Sequence, residues 1–556
     1  MIDLLNMYYF KRLCKLAILK RFFLVIISIC FLIVGSCTNY SGEWRSSLYP
    51  EAWQPGYTDS KGRFLHDFSY AGYYAGEKDI PSVQSSVIDV TKYPYNADNT
   101  GEEDVTAVLQ QALDDTGESG GGVVYLPEGI YNISVGNGDD AALHIRYSNT
   151  IVRGAGVNET KIVNTTTLMR GKNIIKVDNG MRWTSDKINI TGISKDLKNP
   201  TNKIPVENTG GFSTGDLVVL RSDVTEGFIQ EHNMEGVWNT SIRGVIFYRR
   251  IVDIDYNNDV LFIDAPTRYF LKTRDNARVY KVLDPLEEIG LENFSIGNLE
   301  NKNAGFENTD YNVRGTGGYE VHASHAIFLA GSINSWVSDV STFRPEQNKS
   351  DIHILSNGII VHHSRHITVR NCTFKNSQFN GAGGNGYMYK IQANDCLFKY
   401  NIAENCRHNY SFLNMFSNGN VLYRCKGKDS QSSTDFHMHL SMANLFDNFN
   451  VVGDYIEAYN RRSIFGHSTT QSVFWNTNGI RYHNRSDKNK IIYSQQFGWG
   501  YIIGTRGNAP DVEVWGGNGT DPIDFVEGIG TGDKLQPQSL YKDQLGRRMQ
   551  RGEYVY

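Results

Sequence analysis

Short segments in which apolar and polar residues alternate recur along the second half of the chain. Residues 336–343 and 367–374 share one pattern, and looser copies follow at 401–406 and 421–425. Irregular spacing of a short strand and a turn is typical of stacked coils, whose inward residues bury one continuous core. The long intervals between like segments argue against an antiparallel sandwich, whose neighbouring strands are joined by short hairpins. The pattern therefore predicts short parallel strands stacked coil upon coil.

Residues 87–131, which precede these repeated segments, show a different order of predicted secondary structure. Residues 87–90 read as a strand, and residues 104–115 carry apolar positions on one face at helical spacing. Gly120, Gly121 and Gly122 end the helix, and residues 123–131 give two strands around a Pro-x-Gly turn. The sequence predicts a strand, a helix and a strand pair.

This order, with its Gly-Gly-Gly-x-Val-x-Leu-Pro-x-Gly-x-Tyr run, resembles the N-terminal cap of the pectate-lyase-like superfamily, and residues 151–156 resemble its first coils. The resemblance implies an all-β fold over residues 86–556, a single-stranded right-handed parallel β-helix. Its N-terminal capping helix would cover the open end of the core. Residues 210–285 break the pattern and predict a small inserted β-rich subdomain. Residues 535–545 resemble the tail of secreted members.

The first residues read as a targeting segment. Five basic residues precede an apolar run, 22–34, which is short for a membrane span. Val34-Gly35-Ser36-Cys37 resembles a lipobox, which implies a signal peptide at 1–36, acylation of Cys37 and a membrane partner. The alternative is an uncleaved anchor helix. We expect an exported lipoprotein of a Gram-negative bacterium, periplasmic or cell-surface, with residues 37–85 as a tether and irregular cap.

Composition supports this interpretation and excludes one class of partner. The 54 glycines and 59 Tyr plus Phe residues suit a β-rich protein with many turns. The net charge of -5 excludes a globally basic nucleic-acid binder. A monomer is expected. Four cysteines follow the lipobox, and we predict that they pack as apolar residues in successive coils, with a disulfide as the alternative. They are Cys372, Cys396, Cys406 and Cys425.

Candidate chemistry concentrates between residues 385 and 440. In a strand here, Lys390, Gln392 and Asn394 share one face, opposite two apolar residues. Tyr387 precedes them as a substrate-binding candidate, together with Asn394. Lysine can serve as a base, which makes Lys390 the first predicted catalytic residue.

The next coil offers an arginine. Arg407 and Asn409 share a face opposite an apolar set, so Arg407 is a catalytic candidate and Asn409 a substrate-binding one. His408 and Tyr410 alternate with them and are expected to face the core. They become substrate-binding candidates if the strand ends early and redirects them.

The third stretch is 435–440. Asp435, His437 and His439 alternate on one face, while Phe436, Met438 and Leu440 are expected to face the core. Histidine titrates near neutral pH, so we predict His437 and His439 as acid/base groups with Asp435 holding a ring in one tautomer. A metal pair and a plain polar ladder on the surface are the alternatives.

The Lys390-x-x-x-Asn394 spacing with an arginine one coil later resembles calcium-dependent β-helix lyases such as chondroitinase B and alginate lyases. Those enzymes place acidic calcium ligands just before the lysine, whereas residues 381–385 here contain no carboxylate. No metal or other cofactor is predicted, and calcium stays open as an alternative.

These residues predict a polysaccharide lyase that cleaves an anionic, uronate-containing glycan of the glycosaminoglycan, pectin or alginate type. β-Elimination needs a base for the proton beside the carboxylate, positive charge for the developing enolate and an acid for the leaving oxygen. Basic residues elsewhere are further substrate-binding candidates or plain solvated faces. They are Arg344, Arg481 and His483. A glycoside hydrolase with paired carboxyls and a non-catalytic glycan-binding protein are the alternatives.

Overall fold

A computed structural model describes residues 42–180, 189–461 and 465–556. The chain divides into two compact units, Met1–Arg45 and Ser46–Tyr556, and the described helices and strands all belong to the second unit. Cys37 and the predicted signal peptide lie outside the described residues. Among the residues that are described, none of the helices has the length and apolar character needed to cross a membrane.

Most strands belong to three parallel ladders that run the length of the unit. Some long strands turn a corner and take part in two ladders. The first ladder contains Val87–Asp89, Gly122–Leu126, Thr150–Gly154, Leu286–Glu287, Gly290–Asn298, Ser332–Thr342, Asn357–Arg370, Leu397–Lys399, Val421–Tyr423, Leu445–Asp447, Val473–Arg481, Tyr501–Arg506 and Phe525–Glu527. The second contains Thr100–Asp104, Gly129–Ile133, Thr160–Asn164, Thr373–Lys375, Ile402–Glu404, Lys426–Lys428 and Asn450–Val452, with parts of the long strands.

The third ladder carries the residues of greatest interest. It contains Ala141–Ile145, Asn173–Val177, His325–Ala330, the first part of Asn357–Arg370, Tyr387–Asn394, His408–Leu413, Thr434–Met438, Ile456–Ala458, Ile492–Ser494 and Val512–Val514. A short pair, Ser441–Met442 and Thr469–Thr470, lies beside it. Consecutive coils pair in register along each ladder, which confirms the predicted parallel β-helix.

One continuous core fills the interior of the coils. Equivalent inward positions stack on each other, as Tyr389 does on Tyr410 with ring centroids 4.8 Å apart, and Phe412 on Phe436 at 5.0 Å. The four cysteines after the lipobox are free and buried in the same core, so their predicted apolar packing is confirmed. Such ladders of like side chains bury apolar surface coil by coil.

The N-terminal capping helix is Thr106–Glu118, a little beyond the predicted 104–115. Leu109, Ala112 and Leu113 are buried on its inner face, against the end of the core. The other helices are Glu226–Glu231, Gly317–Val321 and Leu540–Gln550, with 3-10 turns at Tyr73–Gly76, Thr273–Asp275, Asp310–Asn312 and Gly532–Lys534.

Part of the segment predicted as a tether and irregular cap is firmly packed. The Tyr49 hydroxyl donates to Asp543 at 2.7 Å, and the side chain of Gln544 bonds the backbone on either side of Asp67. The C-terminal helix thus holds this segment against the flank of the coils. The prediction missed this because aromatic residues without a period gave no sign of a distant partner.

The inserted subdomain is a separate six-stranded sheet. Its strands are Thr191–Gly192, Lys203–Pro205, Leu217–Arg221, Ile246–Asp255, Val260–Ile263 and Arg278–Lys281. It therefore begins before the predicted residue 210, because its first two strands are too short to show alternation. Its own apolar core extends to Met415 and Leu440 of the coils, so the subdomain packs directly on the β-helix.

Candidate functional site

The outward face of the third ladder brings polar residues of four coils into one row. Lys390 pairs in register with Ser411, Ser411 with Asp435, and Asp435 with Glu457. The residues between them, such as Ile391 and Phe412, point into the core. Alternation within each strand therefore places these four side chains side by side across the ladder.

Asp435 is the centre of the row and is fully buried. It accepts hydrogen bonds from Ser411 Oγ at 2.6 Å and His437 Nδ1 at 2.8 Å, and the Arg461 guanidinium lies 3.2 Å from Oδ2. Burial alone would raise the pKa of Asp435, but His408, His437 and Arg461 outweigh it and hold that pKa well below its usual range. Asp435 is therefore a fixed anion that orients its neighbours.

His437 is oriented from both sides. Asp435 accepts from Nδ1, and the Tyr387 hydroxyl lies 3.3 Å from Nδ1 and 3.4 Å from Nε2 of the same ring. Burial raises the pKa of Tyr387 and so keeps the phenol protonated. A phenol, an imidazole and a carboxylate in this order can pass a proton.

His408 completes the wall of the cluster. Its ring stacks on Tyr387 with centroids 4.6 Å apart, and its Nδ1 donates to the backbone oxygen of Ser433 at 2.8 Å. Burial lowers the pKa of His408 to about 3, so the ring is neutral. The strand runs from His408 to Leu413 and so does not end early, which was the condition stated for His408 from the sequence. His408 nevertheless stacks on Tyr387, and its role in substrate binding stays a prediction.

Lys390 lies beside this group without an ionic partner among the described residues. Its ammonium nitrogen is 5.4 Å from the centre of the Tyr387 ring. Burial lowers the pKa of Lys390 to about 8, because a charged ammonium with few polar neighbours is poorly solvated. A lysine in this state is a usable base near neutral pH.

The structure groups three of the four predicted catalytic residues. Lys390 and His437 both contact Tyr387, and Arg407 is close enough to influence the pKa of Tyr387 and of His408. Arg407 donates to the backbone oxygen of Gly381 at 2.8 Å.

The fourth predicted catalytic residue, His439, is set apart. The strand ends at Met438, and His439 adopts a φ of 52°, so the predicted alternation stops before it. Leu440 still reaches a core, but that of the inserted subdomain. His439 lies 3.4 Å from Asn414 and lines a neighbouring cavity instead.

Three predicted substrate-binding residues are buried and make their contacts within the protein, and their roles in binding stay predictions. Asn394 bonds the backbone of Tyr248 and Phe416 beneath the inserted subdomain, and Asn409 donates to Asp454. Tyr410 points into the core, as its alternation with the apolar set indicated. Each of the three is essentially without exposed surface, as Tyr387, His408 and Asp435 of the cluster also are.

The remaining predicted binders make contacts outside the cluster. Arg344 is bonded to Asn348 of its own loop, and Arg481 pairs with Asp429. His483 bonds the backbone oxygen of Ser430 at 2.7 Å, in the connection between the second and third ladders. Their roles in binding stay predictions.

Sequence reasoning missed three members of the cluster. Ser411 lies on the same strand face as Arg407, so alternation held a signal for it. Glu457 and Arg461 come from the following coil, and Arg461 lies 3.4 Å from Glu457. Nothing local marks these two, because their position depends on how the coils stack.

A metal ion is poorly suited to this cluster. Ligand atoms of His408, Asp435 and His437 lie within 4.8 Å of one another. However, the Arg461 cation already lies at Oδ2 of Asp435, and Ser411 donates to Oδ1. A divalent cation would have to displace both, so these side chains fit proton transfer better than metal binding.

Comparisons with known proteins agree with the fold. Residues 88–249 match the family model described as rhamnogalacturonase A/epimerase, pectate lyase-like. The chain is 44% identical to alginate lyase 7 of Azotobacter vinelandii over 69 residues. This stretch covers 12% of this chain and 8% of that protein. It is 33% identical over 133 residues to mannuronan C5-epimerase AlgE3 of the same organism, covering 24% of this chain and 6% of that protein.

The chain thus spans less than a tenth of the length of either relative. Among solved structures, a tailspike protein mutant of E. coli bacteriophage HK620 in complex with pentasaccharide aligns with a TM-score of 0.40 and 10% identity. That alignment covers 83% of this chain and 69% of the tailspike, and it carries no argument about activity. The three parallel ladders show that the described residues form a parallel β-helix, and residues 88–249 of it are similar to the pectate lyase-like family model.

Proposed function

We propose that this protein is a polysaccharide lyase that cleaves an acidic, uronate-containing polysaccharide by β-elimination at the cluster around Lys390. The observation that carries the proposal is Lys390 itself, a largely buried amine without a carboxylate partner among the described residues, beside the Tyr387–His437–Asp435 chain. Similarity to an alginate lyase over a short stretch supports the substrate class.

The proposed reaction begins with removal of the proton on the carbon next to the uronate carboxylate. Neutral Lys390 takes this proton, and the Arg407 guanidinium stabilises the negative charge that develops on the carboxylate oxygens. Arg407 suits this role because it forms no ion pair with a carboxylate among the described residues. Arg461, in contrast, already neutralises Asp435 and Glu457.

The electron pair left by the proton then forms the carbon–carbon double bond, and the bond to the glycosidic oxygen breaks. Tyr387 donates its proton to the leaving oxygen, and the proton that Lys390 took returns to the phenolate through solvent before the next turnover. Asp435 holds the His437 ring in one orientation beside Tyr387. Water is not consumed.

A hydrolase fits this cluster less well. That reaction needs one carboxyl group held protonated opposite an ionised one. Asp435 stays ionised, and Arg461 lies between it and Glu457. Asp447 and Asp524 have pKa values raised by burial to about 6 and about 7, but both are fully enclosed and bonded to neighbouring side chains.

A C5-epimerase is the second candidate, favoured by the 33% identity to a mannuronan C5-epimerase over 133 residues. Its first step is the same proton removal, followed by return of a proton from the opposite face. The two activities differ in product and are separable in one assay.

The test uses purified residues 42–556 with alginate, polygalacturonate and glycosaminoglycans. A lyase produces ultraviolet-absorbing unsaturated ends, and no oxygen from labelled water enters the sugar. Saturated ends that carry labelled oxygen would identify a hydrolase. An altered ratio of epimers by NMR without new ends would identify an epimerase.

We also propose that the chain is exported, acylated at Cys37 and monomeric. The lipobox resemblance supports the anchor, which would keep the enzyme at the membrane of a Gram-negative cell, periplasmic or at the surface. Mass spectrometry of the processed N-terminus should find an acylated Cys37. A Cys37→Ser variant that fractionates with membranes as wild type does would contradict the anchor.

A further inference from the structure

A cavity of about 500 Å³ lies where the inserted subdomain faces the third ladder. The subdomain contributes its loop, including Asn239, Ser241 and Arg243, and the ladder contributes Gln392 and His439. This cavity adjoins the candidate site, because Phe465 packs against both His437 and His439.

The cavity lies at the distance expected for a neighbouring sugar. Gln392 follows Lys390 by two residues on the same face of one strand, which corresponds to about 6.6 Å. A glycan whose reacting sugar contacts Lys390 can therefore place the adjoining sugar over Gln392.

Gln392 points to a ligand. Its side chain is only 9% exposed, yet it makes no hydrogen bond to any residue in the described ranges 42–180, 189–461 and 465–556. The amide borders the cavity, where a bound hydroxyl or carboxylate could supply the missing partner.

Arg243 gives the cavity its charge. No Asp or Glu lines the cavity, and Arg243 forms no ion pair with any described carboxylate. Its Nη1 donates to His363 Nε2 at 2.9 Å, and His363 Nδ1 in turn lies 2.6 Å from the Tyr248 hydroxyl. This chain positions the guanidinium, which has further N–H donors with which it can bind a carboxylate.

We propose that this cavity is a second sugar subsite, in which Arg243 binds the carboxylate of the uronate next to the cleaved bond and Gln392 bonds its hydroxyl or ring oxygens. The inference rests on the proposed function and deepens it, because it makes the inserted subdomain the element that selects for consecutive acidic sugars. Arg243 and Gln392 are then substrate-binding residues that lie outside the reacting cluster.

The test measures binding apart from turnover. In a Lys390→Ala background, calorimetry with di-, tetra- and hexasaccharides of mannuronate and galacturonate should show affinity rising with length. Arg243→Ala should abolish that rise, weakening the longer ligands about ten- to hundredfold while sparing the disaccharide. Oligomers whose carboxyl groups have been reduced should bind equally well to the Lys390→Ala protein with and without Arg243→Ala.

Two matched variants sharpen the result. Arg274→Ala removes an exposed arginine of the same subdomain, paired with Glu231, and should leave every affinity unchanged. Gln392→Leu should weaken the longer acidic and carboxyl-reduced ligands alike, since its bonds do not need the charge.

The outcomes separate the two proposals. Equal loss at all lengths, or no loss, in Arg243→Ala overturns the second subsite and leaves the lyase proposal standing. A length-dependent loss in a protein whose wild type forms no unsaturated product overturns the lyase and keeps the subsite. Failure of every oligouronate to bind overturns both.

Discussion

Two buried aspartates, Asp395 after the strand that carries Lys390 and Asp435 two coils later, organise two charge clusters of different function. Asp395 is held by three arginines that are themselves sealed, and Asp264 completes the group. The arginines are Arg249, Arg268 and Arg365. Asp435 is held by one arginine, two imidazoles and a serine, next to a lysine whose pKa is lowered.

The difference lies in what the partners can do. Arginines stay charged, so the Asp395 group is a permanent bond between the inserted subdomain and the coils. The Asp435 group instead lies beside Lys390, whose pKa burial lowers to about 8, so a proton can be exchanged there near neutral pH. A buried ion cluster therefore indicates a reactive site only when its partners titrate.

The largest expected effect is on turnover at the Asp435 cluster. Lys390→Ala should lower kcat by about two to four orders of magnitude, the usual contribution of a general base. The unfolding free energy should stay the same or rise, because an unpaired ammonium is no longer buried. Initial rates of unsaturated-end formation measure kcat, and urea denaturation measures the unfolding free energy. Normal turnover would remove Lys390 from the mechanism.

At Asp395 the main effect is expected on stability and not on turnover. Asp395→Asn leaves the buried arginines undercompensated and should lower the unfolding free energy by about 3–5 kcal/mol. Denaturant titration measures the change. Activity should fall only in proportion to the unfolded or undocked fraction and recover at low temperature. Unchanged stability would mean that the subdomain is held by its apolar contacts alone.

The sequence predicted which side chains point outward on a strand, but not which distant segments cover them. Alternation predicted the outward direction of Lys390, Asp435 and His437, since it depends on neighbours along one strand. It did not reveal that the same face is covered at Asn394, because the cover comes from the inserted subdomain more than a hundred residues away. Arg461 was missed for a similar reason, as it reaches Asp435 from the next coil.

A pH dependence separates the clusters further. Because only neutral Lys390 accepts a proton, kcat/KM should rise with pH and level off above about 8, the pKa to which burial lowers this lysine. Its folded pKa is below the unfolded value, so the unfolded chain binds more protons between the two values. Wild-type stability should therefore increase over that window relative to Lys390→Met.

The matched comparison is Asp395→Asn. Asp395 keeps a lowered pKa, since burial is outweighed by Arg249, Arg268 and Arg365, and it stays ionised throughout the range of the assay. The acid limb of the rate profile should therefore be unchanged in this variant, once corrected for the folded fraction. If the acid limb of the kcat/KM profile moves in Asp395→Asn but remains in Lys390→Met, the group that titrates is not Lys390.

The smallest effect is expected where a charge pair belongs to neither cluster. Arg481 and Asp429 form an ion pair with 43% and 37% of their side chains exposed. Water screens such a pair, so Arg481→Ala should change the unfolding free energy by less than about 1 kcal/mol.

Arg481 was also predicted from the sequence to bind substrate, so the variant tests that prediction. If Arg481 contacts the glycan, KM should rise while kcat and the Lys390-dependent pH limb stay unchanged. If KM is unaffected, Arg481 does not contact the glycan, and its ion pair with Asp429 is a surface contact outside the site.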